Sequence, residues 1–291
     1  MKQISFRAHL PLVLSIIIPL FIMKALHSRN TPIELKKEIE ILADEILSKM
    51  TDEEKIGQII HIAIPQNFLD PVAIEEIRKI KPGGIILFGM NFGTKDEILK
   101  LTTDLQNEAN SLGIMPFLIS TDQEGGRVIR IKSVQDFPGA MAIGQVGNES
   151  FAEKVGFFTS NQLNSHGINL LLAPVLDINN NPENPVINTR SFGSDLNTVL
   201  KMSSAYQKGA MDGGAIPVVK HFPGHGDTNI DSHLGLPVIQ KNLEELLQSE
   251  LIPFQKSIEN GIRAVMSAHI VYPKLDPEYP ATLSPKILKM I

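Results

Sequence analysis

The sequence predicts an α/β protein with a TIM-like (β/α)8 barrel that lacks about the last two βα units. Two observations support this fold class. Six apolar runs alternate with amphipathic helical segments, and polar stretches containing glycine follow several of the runs. Continuous apolar runs are typical of parallel strands covered on both faces. A barrel of this type assembles its active site from the loops that follow its strands.

The predicted strands and helices alternate along the chain. The six apolar runs are 59–64, 84–89, 115–120, 168–178, 215–222 and 264–272. The segments between them carry apolar residues at helical spacing. These predicted helices lie near 71–80, 95–112, 150–166, 197–213 and 243–260. The alternation by itself fits either a barrel or a doubly wound sheet.

The polar residues favour the barrel. The stretches TDQEGGR, NNNPENPVINTR and HFPGHGD each follow a different apolar run. A doubly wound sheet would concentrate its site at one switch point and usually carries a phosphate-binding loop. The sequence contains neither a G-x-G-x-x-G nor a Walker pattern.

Two motifs predict where further helices begin. Thr51 to Glu54 (TDEE) has the pattern of a capping box. Ser284 and Pro285 are residue types favoured at the N-cap and first position of a helix, and the sequence ends about two turns later. An open six-stranded sheet would have two unpaired edges. We therefore expect a C-terminally incomplete sequence or a disrupted gene; a partner chain that supplies the missing strands is the rarer alternative.

Composition excludes several classes of function. The chain has 291 residues, 43% hydrophobic content and a net charge of -5, with no basic stripe for nucleic acid. It contains no cysteine, which excludes disulfides, thiolate metal sites and a cysteine nucleophile.

The N-terminus has the pattern of a secretory signal. Lys2 and Arg7 precede an apolar run at residues 10–23, which is short for a membrane span. We predict a signal peptide or signal anchor over residues 1–30, followed by one barrel domain over 31–291. This predicts an exported or membrane-anchored protein rather than a cytoplasmic one, with the apolar run as a possible point of membrane association. The alternative is a buried N-terminal helix.

The stretch KHFPGHGDTNIDSH, residues 220–233, concentrates residues that carry proton-transfer chemistry. Asp231 and His233 lie two positions apart, so a carboxylate can orient an imidazole that gives and takes protons near neutral pH. Metal binding is the competing interpretation. It is disfavoured because His221 and His225 flank Pro-Gly and do not share a helix face. We therefore predict no metal and no cofactor.

This stretch resembles the signature loop of glycoside hydrolase family 3, in its β-N-acetylglucosaminidase branch. Further blocks resemble the family in the same order. They are MTDEEKIGQ (50–58), KPGGIILFGMN (81–91), STDQEGGRVIRI (120–131), LLLAPVLDI (170–178), NPVINTRSFGSD (184–195) and MSAHIVYP (266–273). The resemblance covers roughly residues 36–291 and implies a TIM-like barrel.

The resemblance also implies roles for individual residues. His233 would be the general acid/base, and Asp231 its orienting partner. The substrate-binding residues would be Asp122, Arg130, Arg190, Lys220 and His221. From the residues alone, Lys220 in an apolar strand needs a partner, whereas Arg130 and Arg190 are also compatible with surface ion pairs.

Other residues near these motifs are expected to shape the site. Asp177 ends a predicted strand, and we expect it to hold a loop in place. His225 and Asp227 are expected to hold the signature loop, and His269 to lie near the site without an assigned role.

The family resemblance implies a retaining exo-β-N-acetylhexosaminidase that acts on peptidoglycan fragments or chitin-type oligosaccharides. Its nucleophile would be an Asp in an S-D-x-x-M-like block, which the 291 residues do not contain. We therefore expect the chain alone to be inactive even where the full-length parent is an enzyme. One alternative is a non-catalytic sugar-binding or membrane-associated derivative of that enzyme. Another is a related β-glycosidase or phosphorylase.

Overall fold

The computed structural model describes residues 32–230 and 235–291. The predicted signal or anchor segment, with its apolar run, lies outside this part of the chain, and so do Asp231 and His233. None of the described helices is long and apolar enough to cross a membrane.

Helices and strands alternate as the sequence predicts. The helices are α1 Pro32–Lys49, α2 Asp52–Gln58, α3 Pro71–Ile80, α4 Lys95–Leu112, α5 Ala140–Val146, α6 Glu149–Asn164, α7 Leu196–Asp212, α8 Leu243–Leu247, α9 Leu251–Glu259 and α10 Pro285–Leu288. The strands are β1 His61–Ala63, β2 Gly84–Ile86, β3 Leu118–Thr121, β4 Gln123–Gly125, β5 Val128–Ile129, β6 Leu170–Leu171, β7 Ile216–Phe222 and β8 Ala264–Ser267.

Six of these strands form one parallel sheet in the order β1-β2-β3-β6-β7-β8. Each of these six strands pairs with the next of the six in chain order, as Ile85 pairs with Ile119 and Val219 with Val265. The sheet curls into a half-barrel with helices on its outer side, so the predicted α/β, TIM-like fold class is confirmed. Because the strands are parallel, all their carboxyl ends lie at one edge of the sheet.

Close packing between strands and helices fixes this arrangement. Ile85, Ile119 and Leu171 are fully buried in the core. Where α6 and α7 cross, a side chain on Gly156 would lie 2.1 Å from the carbonyl oxygen of Tyr206, so the two helix backbones are nearly in contact. The sequence motifs for helix starts are confirmed as well, since Thr51 forms its capping box with the residue three positions later.

The structure differs from the sequence prediction in five elements. The run 168–178 forms only a two-residue strand, Leu170–Leu171, because the chain soon reaches Pro174, which has no N–H to donate. Beyond Pro174 it rejoins the sheet through an isolated parallel bridge between Val175 and Lys220. The predicted helix 243–260 is divided into α8 and α9. The hairpin of β4 and β5 and the short helix α5 were not predicted, and the last helix, α10, is a single turn.

Candidate active site

The loops that follow the strands enclose a cavity of about 680 Å³. Its walls come from β2, the β4–β5 hairpin, the loop after β6, and β7 and β8. The polar lining residues are Asp122, Glu124, Arg127, Arg130, Arg190, Lys220, His221, His225, Ser267, His269 and Thr282. This is the edge of the sheet where the sequence predicts the site.

Lys220 lies at the centre of the polar network. It is carried by β7, and its side chain is only 1% exposed. Its Nζ lies 2.7 Å from Asp122 Oδ1 and 2.7 Å from Glu124 Oε1. Two carboxylates therefore surround one buried ammonium, which confirms that this lysine in an apolar strand has partners.

Glu124 joins this lysine to Arg190. The guanidinium donates from Nε to Glu124 Oε2 at 2.8 Å and from Nη2 to Oε1 at 2.7 Å, which is the strong two-pronged geometry of an arginine–carboxylate pair. Burial alone would raise the pKa of Glu124, but the charges of Lys220 and Arg190 outweigh it and lower the pKa to about 2. Arg190 is therefore part of a buried network, and its interpretation as a surface ion pair is wrong.

Glu124 is a site residue that sequence reasoning missed. It lies in the stretch TDQEGGR, which the sequence analysis treated as a loop, whereas its burial follows from the β4–β5 hairpin. The sequence offered no specific signal for it, because its partners Lys220 and Arg190 are distant in the sequence.

Asp122 is the carboxylate that remains open to the cavity. Its Oδ1 accepts from Lys220, while its Oδ2 lies 3.8 Å from Arg130 Nη2, too far for a hydrogen bond. Its side chain is 19% exposed. One oxygen is therefore available to accept a hydrogen bond from a hydroxyl group of a ligand.

His221 is held by Asp177 at the end of the network. Its Nδ1 lies 2.6 Å from Asp177 Oδ2, and Asp177 Oδ1 accepts the backbone N–H of His225 at 2.7 Å. Burial lowers the pKa of His221, despite the raising effect of Asp177. The imidazole is therefore neutral near pH 7, with Nδ1–H donating to the carboxylate. Its Nε2, 3.4 Å from Arg190 Nη2, is left as an acceptor.

Asp177 is fully buried, and its pKa lies below its ordinary value because the contacts with His221 and His225 outweigh the raising effect of burial. By these contacts it holds the start of the signature loop against the loop that follows β6. The expectation that Asp177 holds a loop in place is confirmed.

Further contacts fix both ends of the signature loop. Asn184 Nδ2 donates to the carbonyl oxygen of His225 at 2.8 Å, and the Tyr272 hydroxyl donates to the carbonyl oxygen of Gly224. At the other end, Lys241 pairs with Asp227 at 3.1 Å and also with the buried Glu250. The expected loop-holding contacts of His225 and Asp227 are thus present.

The structure brings together most of the predicted site residues. Asp122, Arg130, Arg190, Lys220 and His221 all line the one cavity, and His269 lies at its wall. The predicted catalytic pair, Asp231 and His233, lies outside the described residues. Within residues 32–230 and 235–291, no group of three or more His, Cys, Asp or Glu side chains is placed to hold a metal ion.

A family model, the glycosyl hydrolase family 3 N-terminal domain, matches residues 51–291. Among curated proteins, the chain is 42% identical over 215 residues to β-hexosaminidase A of Pseudoalteromonas piscicida, covering 72% of this chain and 36% of that protein. It is 35% identical over 259 residues to β-hexosaminidase of Neisseria gonorrhoeae, covering 86% of this chain and 65% of that protein.

Solved structures agree with these matches. A family 3 β-N-acetylglucosaminidase from Paenibacillus sp. superimposes with a TM-score of 0.80 at 40% identity, over 82% of this chain and 46% of that one. NagZ from Neisseria gonorrhoeae in complex with N-trifluoroacetyl-D-glucosamine gives a TM-score of 0.74 at 35% identity, over 80% of this chain and 69% of that one. The chain thus spans from about a third to about two thirds of the curated relatives described here.

Proposed function

The chain belongs to glycosyl hydrolase family 3, and we propose that it is the barrel part of a retaining exo-β-N-acetylhexosaminidase. The observation that supports this most directly is the network of Asp122, Lys220, Glu124 and Arg190 beneath an open cavity. Such a network holds a carboxylate and a cation rigidly where neighbouring hydroxyl groups of a sugar can bind both. The named relatives are β-hexosaminidases, and one solved relative holds an N-acylated glucosamine.

We propose that a terminal β-linked N-acetylglucosamine residue occupies the cavity. Asp122 accepts hydrogen bonds from sugar hydroxyls, and Lys220, Arg130 and Arg190 donate to sugar oxygens. The unprotonated Nε2 of His221 accepts a hydrogen bond from a sugar hydroxyl that displaces its long, 3.4 Å contact with Arg190 Nη2. The substrates in this proposal are peptidoglycan fragments or chitin-type oligosaccharides. An exported or membrane-anchored location, directed by residues 1–30, would give access to such material.

The proposed chemistry has two steps. A carboxylate attacks the anomeric carbon while a general acid protonates the leaving oxygen, and water then releases the sugar from the covalent intermediate. We assign the acid/base role to His233 and the orienting role to Asp231, on the resemblance of the signature loop. On the same resemblance, the nucleophile would be an Asp in an S-D-x-x-M-like block, which the 291 residues do not contain, and we propose that these residues bind sugar without cleaving it.

Binding calorimetry with the 291-residue chain tests the proposal. We expect N-acetylglucosamine to bind, and Asp122→Asn to weaken the affinity about 10- to 100-fold, because a charged hydrogen-bond acceptor is lost. Asp136→Asn, which changes an exposed carboxylate outside the cavity, is the matched control. Equal affinity for glucose and N-acetylglucosamine would contradict the proposed specificity for an N-acetyl sugar.

A form of the protein that hydrolyses glycosides tests the acid/base assignment. His233→Ala should reduce the rate strongly on substrates with poor leaving groups and much less on activated aryl glycosides, since these need little protonation. An equal loss of rate on both kinds of substrate would contradict the proton-donor role of His233. Release of a sugar 1-phosphate in phosphate buffer would instead identify a phosphorylase.

A further inference from the structure

A second cavity, of about 340 Å³, adjoins the proposed sugar cavity. It lies between the turn that follows β2 and the chain that follows β5. Its floor and walls include Gly89, Gly93, Ile129, Arg130 and Lys132. Arg130 lines both cavities, so the two share one wall.

The charged side chains that line this second cavity are positive. Both ionisable residues in its lining, Arg130 and Lys132, are cations, and no carboxylate lines it. The nearby Glu97 is turned to Thr94, whose backbone N–H donates to it at 2.7 Å, and it does not line the cavity.

Neither Arg130 nor Lys132 has all its hydrogen-bond donors paired within the part of the chain that the structure describes. Lys132 is exposed and has no ion pair or hydrogen bond with any other residue that the structure describes. Arg130 has Asp122 at 3.8 Å as its one carboxylate neighbour in the same part of the chain, and its Nε has no partner. Arg190, by contrast, donates from both Nε and Nη2 to Glu124. The two unsaturated cations therefore offer donors to an anion.

We propose that this second cavity binds a carboxylate or phosphate group carried by the saccharide whose ring occupies the sugar cavity. The inference rests on the proposed function and extends it to the substrate class, which becomes an anionic amino-sugar derivative. Two partly exposed cations bind a free anion weakly, because solvent screens them. An anion tethered to a bound sugar is already at high effective concentration, so the same contacts then increase the affinity measurably.

Calorimetry at low ionic strength distinguishes the tethered anion from a free one. The ligands are N-acetylglucosamine, N-acetylglucosamine 6-phosphate, N-acetylmuramic acid, which has a lactyl carboxylate, and inorganic phosphate. We expect at least one of the two anionic sugars to bind about fivefold more tightly than N-acetylglucosamine. Inorganic phosphate alone should bind weakly, and the gain should shrink at high salt.

Lys132→Gln should remove this gain and leave the affinity for uncharged N-acetylglucosamine unchanged. Lys154→Gln, on α6 and outside both cavities, removes the same charge and should preserve the gain. The inference is overturned if neither anionic sugar binds more tightly than N-acetylglucosamine, if the gain survives Lys132→Gln, or if Lys154→Gln abolishes it equally. Failure of N-acetylglucosamine itself to bind would instead refute the proposed function, and this inference with it.

Discussion

Asp122 Oδ1 and Lys220 Nζ lie 2.7 Å apart although 98 residues separate them in the sequence. Asp122 follows β3 and Lys220 lies in β7, with β6 between those strands in the sheet. This one contact therefore connects the rim of the half-barrel across an intervening strand. The candidate site is built on the packed sheet rather than on an isolated loop, and its geometry depends on correct strand order.

Glu124→Gln should destabilise the protein and weaken sugar binding together. The carboxylate is buried between Lys220 and Arg190, and its loss leaves two buried cations without their shared partner. Breaking a buried charge pair in this way typically costs about 3–5 kcal/mol. Urea unfolding of the variant measures that loss, and calorimetry measures the loss of affinity. Glu149→Gln breaks an exposed pair with Lys201 and should change the stability by less than about 1 kcal/mol.

The contribution of Glu124 to the free energy of unfolding should decrease as the pH falls. The pKa of this carboxyl is about 2 in the folded protein and near its ordinary value of 4.5 in the unfolded chain. The stabilisation is therefore present above pH 4.5 and is lost as the pH falls towards 2, by about 3 kcal/mol in total. Unfolding free energies of the wild type and of Glu124→Gln should converge over that window. A constant difference between them from pH 6 to pH 3 would contradict the assignment.

The order of the strands was predictable because buried parallel strands are continuous apolar runs. The bounds of the strands were not predictable. The run 168–178 forms a two-residue strand, Leu170–Leu171, followed after Pro174 by an isolated bridge from Val175 to Lys220, because proline cannot donate a ladder hydrogen bond. The hairpin formed by β4 and β5 was hidden because its residues are polar and glycine-rich. Its burial comes from the surrounding network rather than from local preference.

A site residue was predictable from the sequence where its type did not fit its neighbours, as with a charged residue in an apolar strand. Lys220 in an apolar strand signalled a buried partner, and the structure supplies two. The matching carboxylate, Glu124, gave no such signal, because an acidic residue in a polar stretch fits a solvated loop equally well. Its partner Arg190 is 66 residues away, and sequence spacing alone does not reveal which distant strand ends meet.

Asp177→Asn should change the titration of His221 as well as the stability. The carboxylate raises the pKa of His221 against the larger lowering effect of burial, so its neutralisation should lower that pKa further. The loss of a charged acceptor for His221 and His225 should cost about 2 kcal/mol. Nitrogen-15 NMR of the imidazole ring should find Nδ1 protonated and Nε2 unprotonated at pH 7.5 in the wild type. An imidazolium signal at that pH would contradict the proposed acceptor role of Nε2. Asp136→Asn should leave the spectrum unchanged.

Gly226→Ala should disrupt the signature loop through steric overlap alone. A side-chain carbon at this position would lie 1.6 Å from the carbonyl oxygen of Ile178, so the loop after β6 or the signature loop must move. The displacement would disturb the neighbouring contact of the His225 carbonyl oxygen with Asn184 and, through it, the backbone near Asp177. We expect a loss of about 2–4 kcal/mol of stability, as for overpacking against a backbone that cannot shift freely.

Gly89→Ala is the matched control for this substitution, because no atom lies within 4 Å of the added carbon and its backbone does not require a glycine conformation. Its unfolding free energy should stay within about 0.5 kcal/mol of the wild type. Thermal or urea unfolding of both variants measures the change in stability, and calorimetry with N-acetylglucosamine measures the change in affinity. If Gly226→Ala kept full stability and affinity, the loops after β6 and β7 would not be packed as tightly as the structure has them. The positioning of His221 by Asp177 would then need another explanation.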